Sequence, residues 1–372
     1  MPIYLTEQYS KAVEQLYTHT SFLRPHCKAH VDMIGKKTCK VYQILTSELN
    51  DYKREGKDRY GVPNDVQDIV NEYTITQDKA FTAIVDKGDG SQQAISNKAG
   101  QYLRQQISEK CVPTGDKYGF SRIARFGHIQ GVSAAPTKSD IISTVYDAAA
   151  YMGDHYVPDD GRILFVRVSD YKKIILSDEW VKLDNLAGKQ LPTGVVGQVA
   201  GFTVVKVPDR LFPTDVYMLA IHEQALAFPY TIDDTKIHTD PPGVSGSLVE
   251  GRQIYDLFVL SSRADSVVVV AKAASQQACT VAIASHSATV TAADADEIWY
   301  TLDGSDPRFS ANRMLVASGG TVATKAGETI KVVAFGKGGK LTSCSDLLRP
   351  CTHQLHAHAR GRAAARPLFV RR

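Results

Sequence analysis

Residues 193–208 read TGVVGQVAGFTVVKVP. Apolar, mostly β-branched side chains run through the stretch, glycines at 194, 197 and 201 punctuate it, and it holds no acid, His, Ser or Cys. The pattern predicts a turn feeding a strand, with Gly197 and Gly201 where unusual backbone angles or close approach are needed. A segment so well specified and so inert points to scaffold rather than chemistry.

Working outward, the preceding SDIISTVYDAAAYMGDHYVP (139–158) predicts a helix. Ser139 is the expected N-cap, Ile141, Val145, Ala148 and Met152 form one stripe, and Gly153 is placed to close it. Asp159 and Asp160 read as turn formers, RILFVRVS as a short buried strand, and YKKIILSDEW (171–180) as another helix. Downstream, VYMLAIHEQALAFP and RQIYDLFVLSS read as strands, with Asp233 and Asp234 in a loop. Strands and helices mix without strict βαβ alternation, so the expected class is α+β.

Nearer the N-terminus, 6–20 reads as a short helix and 38–47 as a strand. The charged ELNDYKREGKDRYGVPND (48–65) cannot bury enough apolar surface to pack on its own. Strand character returns at 69–85. These pieces fit a long hairpin with a polar tip, and equally a surface loop. Residues 91–110 read as a helix, with Ile95, Ala99, Tyr102, Leu103 and Ile107 at helical spacing and Pro113 bounding its end.

Composition shifts near AKAASQQ (271–277), which reads as a short polar linker. From Cys279 to about Leu347 four strand-like pieces follow, TVAIAS, SATVTA, EIWYTL and TIKVVAFG, as in a small sandwich. The last twenty residues, HQLHAHARGRAAARPLFVRR, hold five Arg and no acid. Removing them takes the net charge of +3 over 372 residues to −2 for the rest. Any attraction to polyanions therefore resides in this tail, which is expected to be disordered.

Hydrophobic content of 43% and charge of 22% are those of an ordinary globular chain, long enough for two or three domains. No apolar run reaches the roughly 18–20 residues of a membrane span, and the first residues lack a secretory pattern. The cysteines (27, 39, 111, 279, 344, 351) form no CxxC pair and are expected as free thiols.

Common catalytic patterns are missing. GDG at 88–90 and GKGG at 336–339 lack the context of a phosphate loop, GVSGS at 243–247 is out of register for a nucleophile elbow, and no HExxH occurs. Neither His26, Cys27, His30 and Cys39 nor Cys351, His353, His356 and His358 match a common zinc spacing. Asp294, Asp296 and Glu297 fit a solvated face better than a cation site. No catalytic residue, cofactor or metal is expected, and the chain reads as non-enzymatic.

Three passages occur together in order: DAAAYMGDHYVPDDGRILFVRVSDYKKI (147–174), GVVGQVAGFTVVKVPDRLF (194–212), and AIHEQALAFPYTIDD followed by GRQIYDLFVL (220–260). They resemble corresponding passages of tailed-bacteriophage major capsid proteins, over roughly residues 1–270. That resemblance implies a Hong Kong 97-type fold: an N-terminal arm (about 1–37), an extended loop (about 38–85), a spine helix (about 91–110), and peripheral and axial domains (about 130–270). EIWYTLDGSDPRFSANRMLV and GETIKVVAFGKGGKLTS (297–343) resemble the immunoglobulin-like module at the C-termini of bacterial chitobiases and hexosaminidases, making 279–350 a second domain and 351–372 a tail.

The resemblance implies a shell subunit, assembled in a bacterial host cytoplasm into the icosahedral head of a virion around double-stranded DNA. Its expected partners are other copies of itself in hexamers and pentamers, with scaffold, portal and decoration proteins, DNA held without sequence specificity, and no membrane. Expected inter-subunit contacts are Tyr52, Lys53, Arg54, Lys57, Asp58 and Arg59; expected glycan contacts of the C-terminal module are Trp299, Tyr300 and Phe309, one of the neighbours 299 and 300 pointing inward. An encapsulin-type compartment shell and a carbohydrate-binding accessory protein are the alternatives.

Overall fold

The computed structural model describes residues 20–29, 38–44, 49, 51–52, 54–55, 59–60, 68–86, 99–177, 195–239, 242–243, 246–284, 286–325, 328–337, 341–342 and 349–350. The helix expected over 6–20 (save Thr20), the start of the one expected over 91–110, Cys344, Cys351 and the tail lie outside these residues.

In chain order, β1 (Thr38–Ile44) and β2 (Asp68–Thr74) pair antiparallel, from Thr38 opposite Thr74 to Ile44 opposite Asp68. The pairing is that of the hairpin expected from the sequence. The single strand expected over 69–85 is broken, however, at Ile75 and Thr76, and β3 (Gln77–Asp86) joins a different sheet. The cause is local: the Thr76 N–H and hydroxyl both donate to Asp256, each at 2.8 Å, which pulls the backbone off the ladder.

Pro113 does not end the helix before it. α1 (Ala99–Gln106) passes through one π turn, Ile107–Cys111, into α2 (Val112–Phe126), where Pro113 occupies the first turn. A proline lacks the N–H and crowds the carbonyl four residues back, and the wider π turn absorbs both effects. The buried face of α2 is Gly115, Asp116, Gly119, Phe120, Ile123 and Ala124, a helical stripe.

β4 (His128–Val132) leads to α3 (Ile141–Asp154), whose stripe Ile141, Val145, Ala148 and Met152 is buried as expected. Its cap is Asp140 rather than Ser139; Ser139 and Thr137 instead donate to the Asp140 carboxylate, and these hydrogen bonds hold its pKa below the ordinary value. Gly153 lies inside the last turn, and Tyr156 takes the left-handed angle (φ 56°). β5 (Arg162–Arg167) is buried, and α4 (Val168–Ile175) starts earlier and stops sooner than the residues 171–180 predicted.

The stretch 193–208 forms a hairpin rather than a turn and one strand. β6 (Val195–Val199) turns through Ala200 and Gly201 (φ 49° and 82°) into β7 (Phe202–Val207), with a bulge at Gly197. Successive left-handed residues match the right-handed twist of paired strands, so Gly201 is demanded by the turn. The chain continues through β8 (Val216–His222), β9 (Leu226–Ala227), β10 (Tyr230–Thr239), β11 (Gly246–Tyr255), β12 (Phe258–Val259) and β13 (Val267–Lys272). Asp233 and Asp234 sit in β10 at a bulge, not in a loop, because β10 pairs along its length with β11.

A six-stranded mixed sheet, ordered β4-β13-β8-β5-β7-β6, organises the core. Side chains alternate across a strand, and here each set has its own core. Val267, Val269, Ile163, Phe165, Leu219 and Ile221 face α2, while Val268, Val270, Leu164, Val166, Met218 and Ala220 face α3 and α4. Both faces are covered, which explains the uninterrupted apolar run VVVVA (267–271) of β13. A second sheet, β10-β11-β3, lies apart from it.

Beyond β13 come β14 (Thr280–Ala284), β15 (Ser287–Thr291), β16 (Ala295–Thr301), β17 (Met314–Leu315), β18 (Thr321–Ala323), β19 (Thr329–Gly336) and β20 (Arg349–Pro350), matching the four strand-like pieces expected. They form sheets β14-β15-β18 and β17-β16-β19-β20 around Ala288, Val290, Ile298, Ile330, Val332 and Ala334. The preceding polar linker is not free: Gln277 is buried, its N–H donates to Leu341 O at 2.9 Å and its side-chain amide to Ala293 O at 2.6 Å.

Candidate assembly site at the hairpin and its root

Away from its root the β1–β2 hairpin presents exposed apolar side chains among the described residues. Val41, Ile44, Leu49, Tyr52 and Tyr60 are exposed, Tyr60 at 84%, and Tyr52 meets Tyr60 edge-on with ring centroids 5.0 Å apart. Of the six tip residues proposed from sequence, Tyr52, Arg54 and Arg59 are exposed, and Lys53, Lys57 and Asp58 lie outside the described residues. Attention to the charges missed Tyr60, although an aromatic beside a glycine in the sequence (Tyr60, Gly61) was the available signal. Burying such side chains is worth about 1.5–3 kcal/mol each, so the hairpin leaves much binding energy unused within one chain.

The root is the opposite. Tyr73 is buried against Phe258 with centroids 5.4 Å apart, and its hydroxyl accepts from the Ser261 N–H at 2.9 Å; burial pushes its phenol pKa up. Asp256, fully buried, accepts from Thr76, from the Tyr118 hydroxyl at 2.9 Å and from the Leu257 N–H at 2.7 Å, with Arg122 Nε 3.4 Å away. One carboxylate thus ties the hairpin root, α2 and the turn after β11 together.

Segment 20–29 is tied to the same helix. Asp116 accepts from the Ser21 hydroxyl at 2.5 Å and the Phe22 N–H at 2.8 Å, and burial raises its pKa. Lys28 pairs with Glu223 at 2.6 Å, and His26 meets Phe165 edge-on at 5.7 Å.

The C-terminal unit reaches the root too. The Glu72 N–H donates to Phe309 O at 3.1 Å and the Ala311 N–H to Val70 O at 2.9 Å, which sets Asn71 opposite Ser310. Arg308 grips Asp306 with Nε and Nη2 and donates from Nη1 to Phe126 O at 2.6 Å, capping the end of α2. Between these parts lies a cleft of about 250 Å³ walled by Tyr73, Arg122, Arg125, Trp299, Arg313 and Phe335 among others. Burial lowers the Arg125 pKa, helped by neighbouring Arg122 and opposed by Glu297 and Asp296.

These contacts correct one expectation about the module's aromatics. Phe309 is 3% exposed and belongs to the main core beside Phe126, because its backbone is drawn to β2. Trp299 and Tyr300 do diverge as alternation requires. Tyr300 packs on the C-terminal core, while Trp299 lines the cleft, donates to Glu297 at 2.9 Å and carries Arg313 over its ring at 4.9 Å. No cluster of three metal-ligating side chains occurs among the described residues, and no described helix is long and apolar enough to cross a membrane.

No family model matches the chain, and no curated protein matches it in sequence. Solved structures do. The chain superposes on a Mycobacterium phage Che8 structure at TM-score 0.60 with 19% identity, covering 72% of this chain and 97% of that one. For the capsid of cyanophage P-SCSP1u the values are 0.58, 14%, 73% and 93%. For the mature capsid of bacteriophage PhiM1 they are 0.58, 13%, 72% and 92%. The fold is that of phage capsid structures. Nearly the whole of each capsid neighbour is accounted for, while a little over a quarter of this chain is left unmatched.

Proposed function

We propose that this protein is the major capsid protein of a tailed bacteriophage, building the icosahedral head that encloses double-stranded DNA. The carrying observation is the capsid fold, matched over more than nine-tenths of each neighbour. In the finer reading the architecture is Hong Kong 97-type: an N-terminal arm, the 38–85 region as extended loop, the helix through the π turn as spine, peripheral and axial regions beyond it, and an immunoglobulin-like C-terminal module. The mechanism is association rather than catalysis. Exposed apolar groups of the hairpin, Ile44, Tyr52 and Tyr60 among them, pack on a neighbouring subunit, and many such contacts close a shell.

The expected partners are other copies of the chain, together with scaffold, portal and decoration proteins and packaged DNA, in the virion. Electron microscopy and sedimentation velocity of the purified protein test this reading. Closed shells, rings of five or six, or curved sheets are expected. A monomer that still fails to assemble with scaffold or crowding agents overturns it. Nucleic-acid content separates a phage head from an enzyme-loaded compartment.

A further inference from the structure

We infer that the C-terminal unit is an internal brace, with residues 309–311 supplying one antiparallel bridge to β2 that fixes the angle at which the β1–β2 hairpin leaves the body. A two-stranded hairpin is marginal in water and needs a third strand or a packed face to hold one geometry. β1 and β2 form an isolated two-stranded ladder, and β3 departs for another sheet. In place of a third strand, a turn from the far end of the chain bonds to the free edge of β2.

The geometry is that of an antiparallel bridge. Val70 O and Glu72 N bond to Ala311 N and Phe309 O, which makes Asn71 and Ser310 a non-hydrogen-bonded antiparallel pair with both side chains buried. The turn is anchored on the body side as well: Arg308 holds the last carbonyl of α2, Phe309 packs on Phe126, and Leu341 enters the main core. A module displayed on a tether would have none of these bonds. The hairpin direction is therefore set by three pieces at once, β2, the end of α2 and the 306–311 loop.

The contact itself is independent of shell formation; its consequence for assembly rests on the capsid reading. Two experiments on the unassembled full chain test the brace. In Asn71→Cys/Ser310→Cys, narrow antiparallel pairs place the two sulfurs within bonding reach, so a 71–310 disulfide mapped by mass spectrometry is expected under mild oxidation. Its absence in folded protein overturns the brace.

In Ala311→Pro, which deletes the donor to Val70 O, hydrogen exchange at 70–74 should rise tenfold or more while β8 and β13 keep their protection. Unchanged exchange at 70–74 overturns the inference. If that variant loses the central sheet as well, the disulfide decides alone. A braced hairpin in a protein that never forms shells would sink the capsid reading and leave the brace standing.

Discussion

Leu23 fills the space that a methyl group on Gly119 would need, its Cδ2 lying against the position a Cβ would take. Segment 20–29 therefore approaches α2 more closely than any other residue at 119 allows. Gly119→Ala gains about 1 kcal/mol of helix propensity and loses the seat of Leu23. Overpacking costs about 1–3 kcal/mol, so the net expectation is destabilisation of up to about 2 kcal/mol in urea unfolding. A neutral or stabilised variant would show that the segment moves aside freely.

Asp256 holds a stronger joint. Asp256→Ala strands the Thr76 and Leu257 N–H groups without their acceptor, each at about 1–3 kcal/mol, and removes the carboxylate facing Arg122 and the Tyr118 hydroxyl. Loss of roughly 3 kcal/mol or more, with faster hydrogen exchange at 75–77, is expected. A loss confined to the turn at 256–257 would contradict the three-way joint.

Acid should loosen the N-terminal segment through His26. Burial lowers its pKa below 6.5, against the pull of Glu223 and with the help of Lys28. The unfolded chain thus takes up the proton first, and stability falls as pH drops from 6.5 through the lowered native value. Asp116, with its pKa raised by burial, acts with the opposite sign. His26→Phe keeps the ring against Phe165 and should flatten the fall in melting temperature between pH 7 and 5. An equally steep fall in that variant would assign the pH response to another group.

Thiol chemistry offers a check on packing. Burial pushes the Cys27 thiol well up from its ordinary value and raises the Cys111 thiol too. A thiolate reagent at pH 8 should leave both unmodified in the native protein and label them in denaturant. Rapid native labelling of Cys27 would mean that segment 20–29 detaches.

On the capsid reading, Ile44→Ser with Tyr60→Ser should leave subunit stability within about 0.5 kcal/mol, since both side chains are exposed, and abolish assembly. Shells of normal yield would remove the hairpin from the contact.

The parts legible in the sequence were those with strong local signals. The α3 stripe, the β5 run, Gly197 and Gly201 and the four C-terminal strands all emerge near where the sequence pattern put them. What escaped depended on partners remote in sequence. Nothing within 69–85 says that Asp256 will break the strand at Thr76. A proline three residues past a helical pattern is ordinarily a stop, and only the register shift at Ile107–Cys111 lets α2 continue. Phe309 looked like a surface aromatic because its backbone partner, Glu72, is more than two hundred residues upstream. The hairpin tip was found through its charge, while its exposed tyrosines carry the apolar surface.

That separation also puts a clock into biosynthesis. Val70–Glu72 leaves the ribosome long before Phe309–Ala311 is made, and at ~5–20 residues per second the interval is on the order of ten to fifty seconds. Through that time a nascent chain carries a hairpin whose direction is unset. On the capsid reading, only a finished polypeptide presents it correctly, so truncated products are poor competitors for a place among complete ones.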